Sequence, residues 1–209
     1  MSEVRARQSD RSLAKREQIL DGAVSVFREV GYERASVDSI AARAGVSKAT
    51  IYNHFRDKSA LFLATVELEN REIRGKFLAL LETPTGDIQA DLRRIGELLA
   101  RLVTSPSNVL RHRIVTAEAG RFPELGRSLY ECSILAARRR MATFFERAAA
   151  LGLLEVPEPM HAAIDFGALC VENPLRMLLL GVEEEATEEM IAREVERAVR
   201  TFLRAYRPS

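Results

Sequence analysis

The chemistry this sequence can do is concentrated in one short stretch, Ser47-Lys48-Ala49-Thr50-Ile51-Tyr52-Asn53-His54, with Ser36 ahead of it and Lys58 behind. Asn53 carries the donor and acceptor that pair bidentately with an adenine edge, and Tyr52 can touch a thymine methyl or donate to a phosphate. Ala49 is small enough for close approach. Ser36, Ser47, Lys48, Thr50, His54 and Lys58 supply donors suited to phosphate oxygens. Elsewhere, chemistry is sparse. His54, His112 and His161 are isolated, and no Ser-His-acid set, Gly-rich phosphate loop or metal-ligand spacing is present. No catalytic residue, metal or cofactor is therefore expected, and an enzyme is disfavoured. Cys132 and Cys170 read as small buried hydrophobes, with a redox-sensing pair as the alternative.

The stretch needs a scaffold, and the flanking residues describe one. Ser36 is an N-cap for a helix over 37–44, in which Val37, Ile40, Ala41 and Ala44 recur at helical spacing. Gly45 ends it with the left-handed conformation that glycine tolerates. Ser47 caps the next helix, Val46 and Ile51 form a hydrophobic staple, and Ile51 and Phe55 face inward. Ala49, Tyr52 and Asn53 are then left outward on a helix too short to be stable alone. That is a helix-turn-helix presenting its second helix to a DNA groove. The bland alternative is the solvated face of an ordinary helical hairpin. A preceding helix opens at Ser12, carries Ile19, Leu20, Ala23, Val24, Phe27 and Val30 inward, and closes at Gly31.

Residues 12–66 resemble the DNA-binding domain of the TetR family of bacterial one-component repressors. Gly31-Tyr32, Ser36-Val37, Ile40-Ala41, Ala44-Gly45-Val46-Ser47, Thr50-Ile51-Tyr52, His54-Phe55, Lys58 and Leu61-Phe62 carry the likeness. Ala49 stands where a glycine is common, and Asn53 occupies a variable position, so both bear on which operator is read. The resemblance implies that Tyr52 and His54 contact the backbone or a base edge and that Lys58 contacts a phosphate. A weaker likeness over Arg113–Leu125 implies a regulatory domain of the same family without naming a ligand.

Net charge is +1 over 209 residues, but it is unevenly spread. Residues 1–59 hold eleven Lys and Arg against eight Asp and Glu, leaving 20 against 22 beyond. The positive excess lies with the reading head, as attachment to phosphate requires. No apolar run approaches a membrane span and no signal peptide is evident, so a cytoplasmic, nucleoid-associated protein is expected, with no membrane partner. Three regions follow: a disordered basic arm over 1–11 containing Arg5, Arg7 and Arg11, a DNA-binding domain over 12–60, and an effector-binding and dimerisation domain over 61–209.

The larger region reads as helical throughout, so the fold class is all-α with about nine helices. A single rod is expected from Lys58 to about Leu81, roughly 35 Å long at about 1.5 Å per residue, joining head to body. Helices follow over 88–102, 109–119, 124–151, 160–181 and 188–205. The apolar excess on the last two predicts a two-fold homodimer through Phe166, Leu169, Ile191, Val195, Val199 and Phe202; a thick monomeric core is the alternative. Phe77, Leu99, Leu102, Phe144, Phe145, Phe166, Cys170, Glu172 and Met177 are the candidate walls of a pocket for a largely apolar small-molecule effector. Each is also a plausible core residue, and Glu172 is also placed to pair with Arg176. Arg113, Glu118 and Arg121 suggest a structural ion-pair network. The functional expectation is a repressor that binds palindromic double-stranded DNA as a dimer and is released by an effector. The rival readings are a dimeric small-molecule-binding module without DNA binding, and a transcriptional activator.

Overall fold

The computed structural model describes residues 2–208, with side chains from Ser12 onward. The expected basic arm, with Arg5, Arg7 and Arg11, therefore lies outside the residues whose side chains are described. Among the described residues every regular element is helical and no strand occurs, so the fold is all-α. The chain forms two compact units, Met1–Glu69 and Asn70–Ser209.

The first unit contains α1 (Ser2–Arg34), α2 (Val37–Ala44), α3 (Lys48–His54) and α4 (Lys58–Glu69). The helical path of α1 breaks where expected, at Gly31 with φ 76° and ψ 167°. Ile19, Leu20, Ala23 and Phe27 of α1 are buried with Ile40, Ala41 and Ala44 of α2, Ile51 of α3, and Leu61, Phe62 and Val66 of α4. The Phe62 ring meets Phe27 edge-on at 5.3 Å and Tyr32 at 5.1 Å. These contacts carry α4 into the head, so the boundary expected at residue 60 falls later. Where α1 crosses α2 there is no room for another atom: a Cβ on Gly22 would lie 2.7 Å from the Ala44 Cβ and 3.0 Å from its Cα.

The single rod from Lys58 to Leu81 does not form. Asn70, at φ −90° and ψ 3°, separates α4 from α5 (Arg71–Leu80). Asparagine competes with helical backbone through its own side chain, and here that side chain is engaged elsewhere. Its amide donates to the Ser107 hydroxyl at 3.2 Å, and its oxygen accepts from the Ser105 hydroxyl at 3.2 Å. The break is thus tied to the corner between α6 (Ile88–Thr104) and α7 (Pro106–Glu118).

The remaining elements are α8 (Pro123–Leu129), a π-helical segment (Tyr130–Leu135), α9 (Ala136–Ala150), α10 (Pro159–Leu180) and α11 (Glu188–Tyr206). The helix expected over 124–151 therefore contains a π segment that periodicity did not reveal. Asp87, Ser105 and Thr187 cap α6, α7 and α11 by accepting from Ala90, Asn108 and Met190 amides. Helix α10 packs against α6, α9 and α11. At their meeting, Phe166 contacts Phe145 and Phe202 edge-on, and Phe202 leans on Tyr206 at 4.5 Å. Close approach is again set by a glycine: a Cβ on Gly96 would lie 2.8 Å from Val195 Cγ1 and 3.1 Å from Cys170 Sγ.

Candidate nucleic-acid interface

Local geometry between α2 and α3 follows the sequence closely. Ser36 caps α2, its hydroxyl accepting from the Ser39 amide at 3.0 Å while Ser39 Oγ accepts from the Ser36 amide at 3.1 Å. Gly45 terminates α2 at φ 62°, ψ 39°, where a side chain would be strained. The freed carbonyl of Ala44 accepts from Gln18 Nε2 at 2.6 Å, a tie between α1 and α2 that no local spacing announces. Ser47 caps α3 by accepting from the Thr50 amide at 3.0 Å. Ile51 and Phe55 are buried, while Lys48, Ala49, Tyr52 and Asn53 are exposed. Tyr52 keeps 48% of its surface open, which is unusual for an aromatic side chain on so small a domain.

The donors expected to meet phosphate are less free than the sequence suggests. Ser36 and Ser47 spend acceptors as caps, and Ser47 and Thr50 share a hydroxyl hydrogen bond at 2.7 Å. Lys48 Nζ donates to Asp38 Oδ2 at 2.9 Å, and that hydrogen bond raises the lysine pKa above its ordinary value. His54 is half-buried beside Phe55. Lys58 is the clearest revision. Its ammonium donates to the carbonyls of Tyr32 at 2.9 Å and Ala35 at 3.1 Å and lies over the Tyr32 ring at 4.3 Å. Within the head it closes the chain end of α1, and a phosphate would have to compete with those bonds. What stands outward and untied is the line Ala49, Tyr52, Asn53, a shape and donor set suited to base edges.

The comparisons agree with this geometry. Residues 19–65 match the family model described as "Bacterial regulatory proteins, tetR family", and residues 90–208 match "AefR-like transcriptional repressor, C-terminal domain". The chain belongs to the TetR family of transcriptional regulators. An uncharacterized HTH-type transcriptional regulator of Mycobacterium tuberculosis, Rv1556, is 34% identical over 108 residues, 52% of this chain and 50% of that one. The chain spans about half the length of the curated relatives it matches first. Among solved structures, a TetR-family regulator from Mesorhizobium loti superposes with a TM-score of 0.81 at 25% identity, covering 95% of this chain and 99% of that one. The flavonoid-responsive regulator FrrA is 34% identical with a TM-score of 0.66, covering 93% and 98%. Members of the TetR family regulate transcription and are not enzymes.

In the regulatory unit of this TetR-family chain, the expected pocket is filled. Phe77, Phe144, Phe145, Phe166 and Cys170 are 0–1% exposed and form one continuous core with Leu99. Burial pushes the Cys170 thiol up to about 12, as befits an inert core group. Leu102 and Met177 are only half-buried. Glu172 is exposed and pairs with Arg176, whose Nε donates to it at 2.8 Å, so it stands outside this filled core. The expected dimer contacts are corrected likewise. Phe166, Ile191, Val195, Val199 and Phe202 are 0–2% exposed inside this chain's own core, leaving Leu169 half-buried at the surface. Helical periodicity finds an apolar stripe, but it does not say which molecule covers it.

Open space lies elsewhere. One groove of about 600 Å³ runs between α10 and α11, lined by Ala168, Leu169, Glu172, Arg176, Arg197 and Tyr206 among others. A second hollow of about 530 Å³ is lined by Arg101, Thr104, Ser105, Val109, Leu178 and Ile191 among others. Among the described residues, no ion pair joins Arg113, Glu118 and Arg121 as expected. Arg113 donates instead to the Leu178 carbonyl at 2.6 Å, and Arg121 lies over the Phe122 ring. Cys132 is exposed, against expectation. Among the described residues no acidic, His or Cys cluster could hold a metal, and no helix is long and apolar enough to cross a membrane.

Proposed function

We propose that this regulator is a repressor that binds a palindromic operator as a homodimer through α3 and is released by a small, largely apolar effector. The observation that carries the reading is the outward line Ala49, Tyr52, Asn53 on a seven-residue helix anchored from beneath by Ile51 and Phe55. Asn53 reads a base edge, Tyr52 a thymine methyl or backbone, and Lys48, Thr50 and His54 approach phosphates.

Dimerisation is assigned to the α10–α11 groove. Ala168 and Leu169 supply a close apolar contact there, and Glu172, Arg176 and Arg197 supply charges of both signs. A two-fold axis can bring such charges into register. The pairing would set two copies of α3 about 34–36 Å apart, facing successive major grooves. The effector is assigned to the hollow beside Ser105, and FrrA, a relative whose name records flavonoid responsiveness, supports an aromatic, hydroxylated class. Ser105 holds Asn70, the residue after α4, so a ligand that draws Ser105 away alters the break through which the head is attached. A ligand that favours one arrangement of the Asn70–Ser105 contact then shifts the population between arrangements.

The test is fluorescence anisotropy with duplexes from the DNA flanking the gene, at low and moderate salt, for the parent and for Tyr52→Ala/Asn53→Ala. Sequence-selective binding by the parent and its loss in the variant are expected. A parent that holds no duplex even at low ionic strength sinks the proposal. Effector coupling must also be reciprocal: operator must weaken effector binding by the same factor that effector weakens operator binding.

A further inference from the structure

The acidic residue facing α3 has no place in the function described so far. We propose that Asp38 is an internal stand-in for phosphate, occupying Lys48 in the free protein so that duplex binding must exchange one anion for another and non-selective attachment stays weak. The inference rests on the DNA-binding reading above.

Asp38 lies in the first turn of α2 and Lys48 is the first residue of α3, so the pair bridges the two helices of the reading head. The Nζ–Oδ2 separation is 2.9 Å, and the two side chains keep 50% and 70% of their surface exposed. Such a pair is open to solvent and readily exchanged, unlike a buried one. Neighbouring cations are engaged in the same way. Arg43 is paired with Glu29 at 2.5 Å and Arg56 with Asp57 at 2.7 Å, while Lys58 is held by carbonyls. Lys48 is the one Lys or Arg on α3 itself. When Lys48 turns to a DNA phosphate, the freed carboxylate takes up a counterion and cancels about one of those released from the duplex. Discrimination then rests on Tyr52 and Asn53, which read bases, rather than on charge, which does not.

The experiment is a salt titration of duplex binding by Asp38→Asn, Asp38→Glu, Lys48→Ala and the Asp38→Asn/Lys48→Ala double variant, with thermal midpoints recorded for each. Asp38→Asn is expected to bind operator and unrelated duplex about 3–10-fold more tightly, with the slope of log K against log salt steeper by about one. Asp38→Glu should restore parental behaviour, and the gain should vanish in the Lys48→Ala background. Unchanged affinity and slope in Asp38→Asn would overturn the inference, as would a gain that survives without Lys48, which would mean simple repulsion of DNA by the carboxylate. A parent that binds no duplex would instead overturn the DNA-binding reading, and this inference with it.

Discussion

Helix α3 and helix α10 solve opposite problems. The first is seven residues long, buries Ile51, half-buries Thr50 and His54, and leaves Lys48, Ala49, Tyr52 and Asn53 on view. The second is 22 residues long, and Ala162, Ala163, Phe166, Cys170, Pro174 and Leu178 along it are all buried. A helix that presents chemistry needs only an anchor, so its exposed residues report its task. A helix that builds a core spends its distinctive residues on packing, and the same residue types then say little about ligands or partners. Phe166→Ala should break this contrast if it is wrong. Loss of a fully buried phenylalanine is expected to cost about 3–5 kcal/mol, read by urea denaturation, whereas Tyr52→Ala should stay within about 0.5 kcal/mol. Near-neutral behaviour of Phe166→Ala would mean that the site is a cavity wall after all.

Each unit also has one crossing where only glycine fits, and the two differ in what would be struck. At Gly22 a new Cβ meets the Cβ, Cα and nitrogen of Ala44, largely backbone that cannot turn aside. At Gly96 it meets side-chain atoms of Val195, Cys170 and Phe166. Overpacking costs about 1–3 kcal/mol, against a helix-propensity gain of about 0.5–1 kcal/mol for Gly→Ala. Gly22→Ala should therefore fall near the upper end and abolish duplex binding by unfolding the head, while Gly96→Ala should cost less as Val195 re-adjusts. Denaturation followed separately by the tyrosines of the two units would show a reversal of that order.

Asn53→Ala sharpens the contrast from the other side. It should leave the denaturation midpoint unchanged and cost about 1–3 kcal/mol of operator binding, with relaxed preference at one base pair. Equal losses on operator and unrelated duplex would place Asn53 on a phosphate instead.

These differences explain what was legible in the residues. Ser36, Gly45, Ser47, Ile51 and Phe55 announce the head because caps, a left-handed glycine and a staple are local devices, each readable within a few positions. The Gln18–Ala44, Lys58–Ala35 and Lys48–Asp38 contacts span many residues and have no periodic signature. The break at Asn70 was hidden because apolar spacing continues through it, and its cause is a pair of serines 35 and 37 residues away. The pocket and dimer assignments failed together on Phe166 and its neighbours, since one apolar stripe can line a core, a cavity or an interface. Reactivity of the cysteines follows the same division: exposed Cys132 should react with a thiol reagent in the folded protein, and Cys170, with its thiol pushed up to about 12, should not.

The smallest effect separates the units by pH. Burial of Asp57 alone would push its carboxyl up, but hydrogen bonds from the Ala60 and Ser59 amides and the nearby Arg56 guanidinium outweigh it, so the pKa lies below the usual carboxylate value. A depressed folded-state pKa stabilises the head fully above the ordinary carboxylate range. That stability is lost as pH falls through the lowered value, when the cap of α4 is protonated. The side chain keeps 35% of its surface open to water, so after solvent screening the contribution is on the order of a few tenths of a kcal/mol. Asp57→Asn keeps a capping oxygen but cannot titrate. Its head should melt at nearly the parental temperature near neutrality and show a shallower loss of stability on acidification. An identical acid limb for parent and variant would mean that the α4 cap contributes nothing to the pH response.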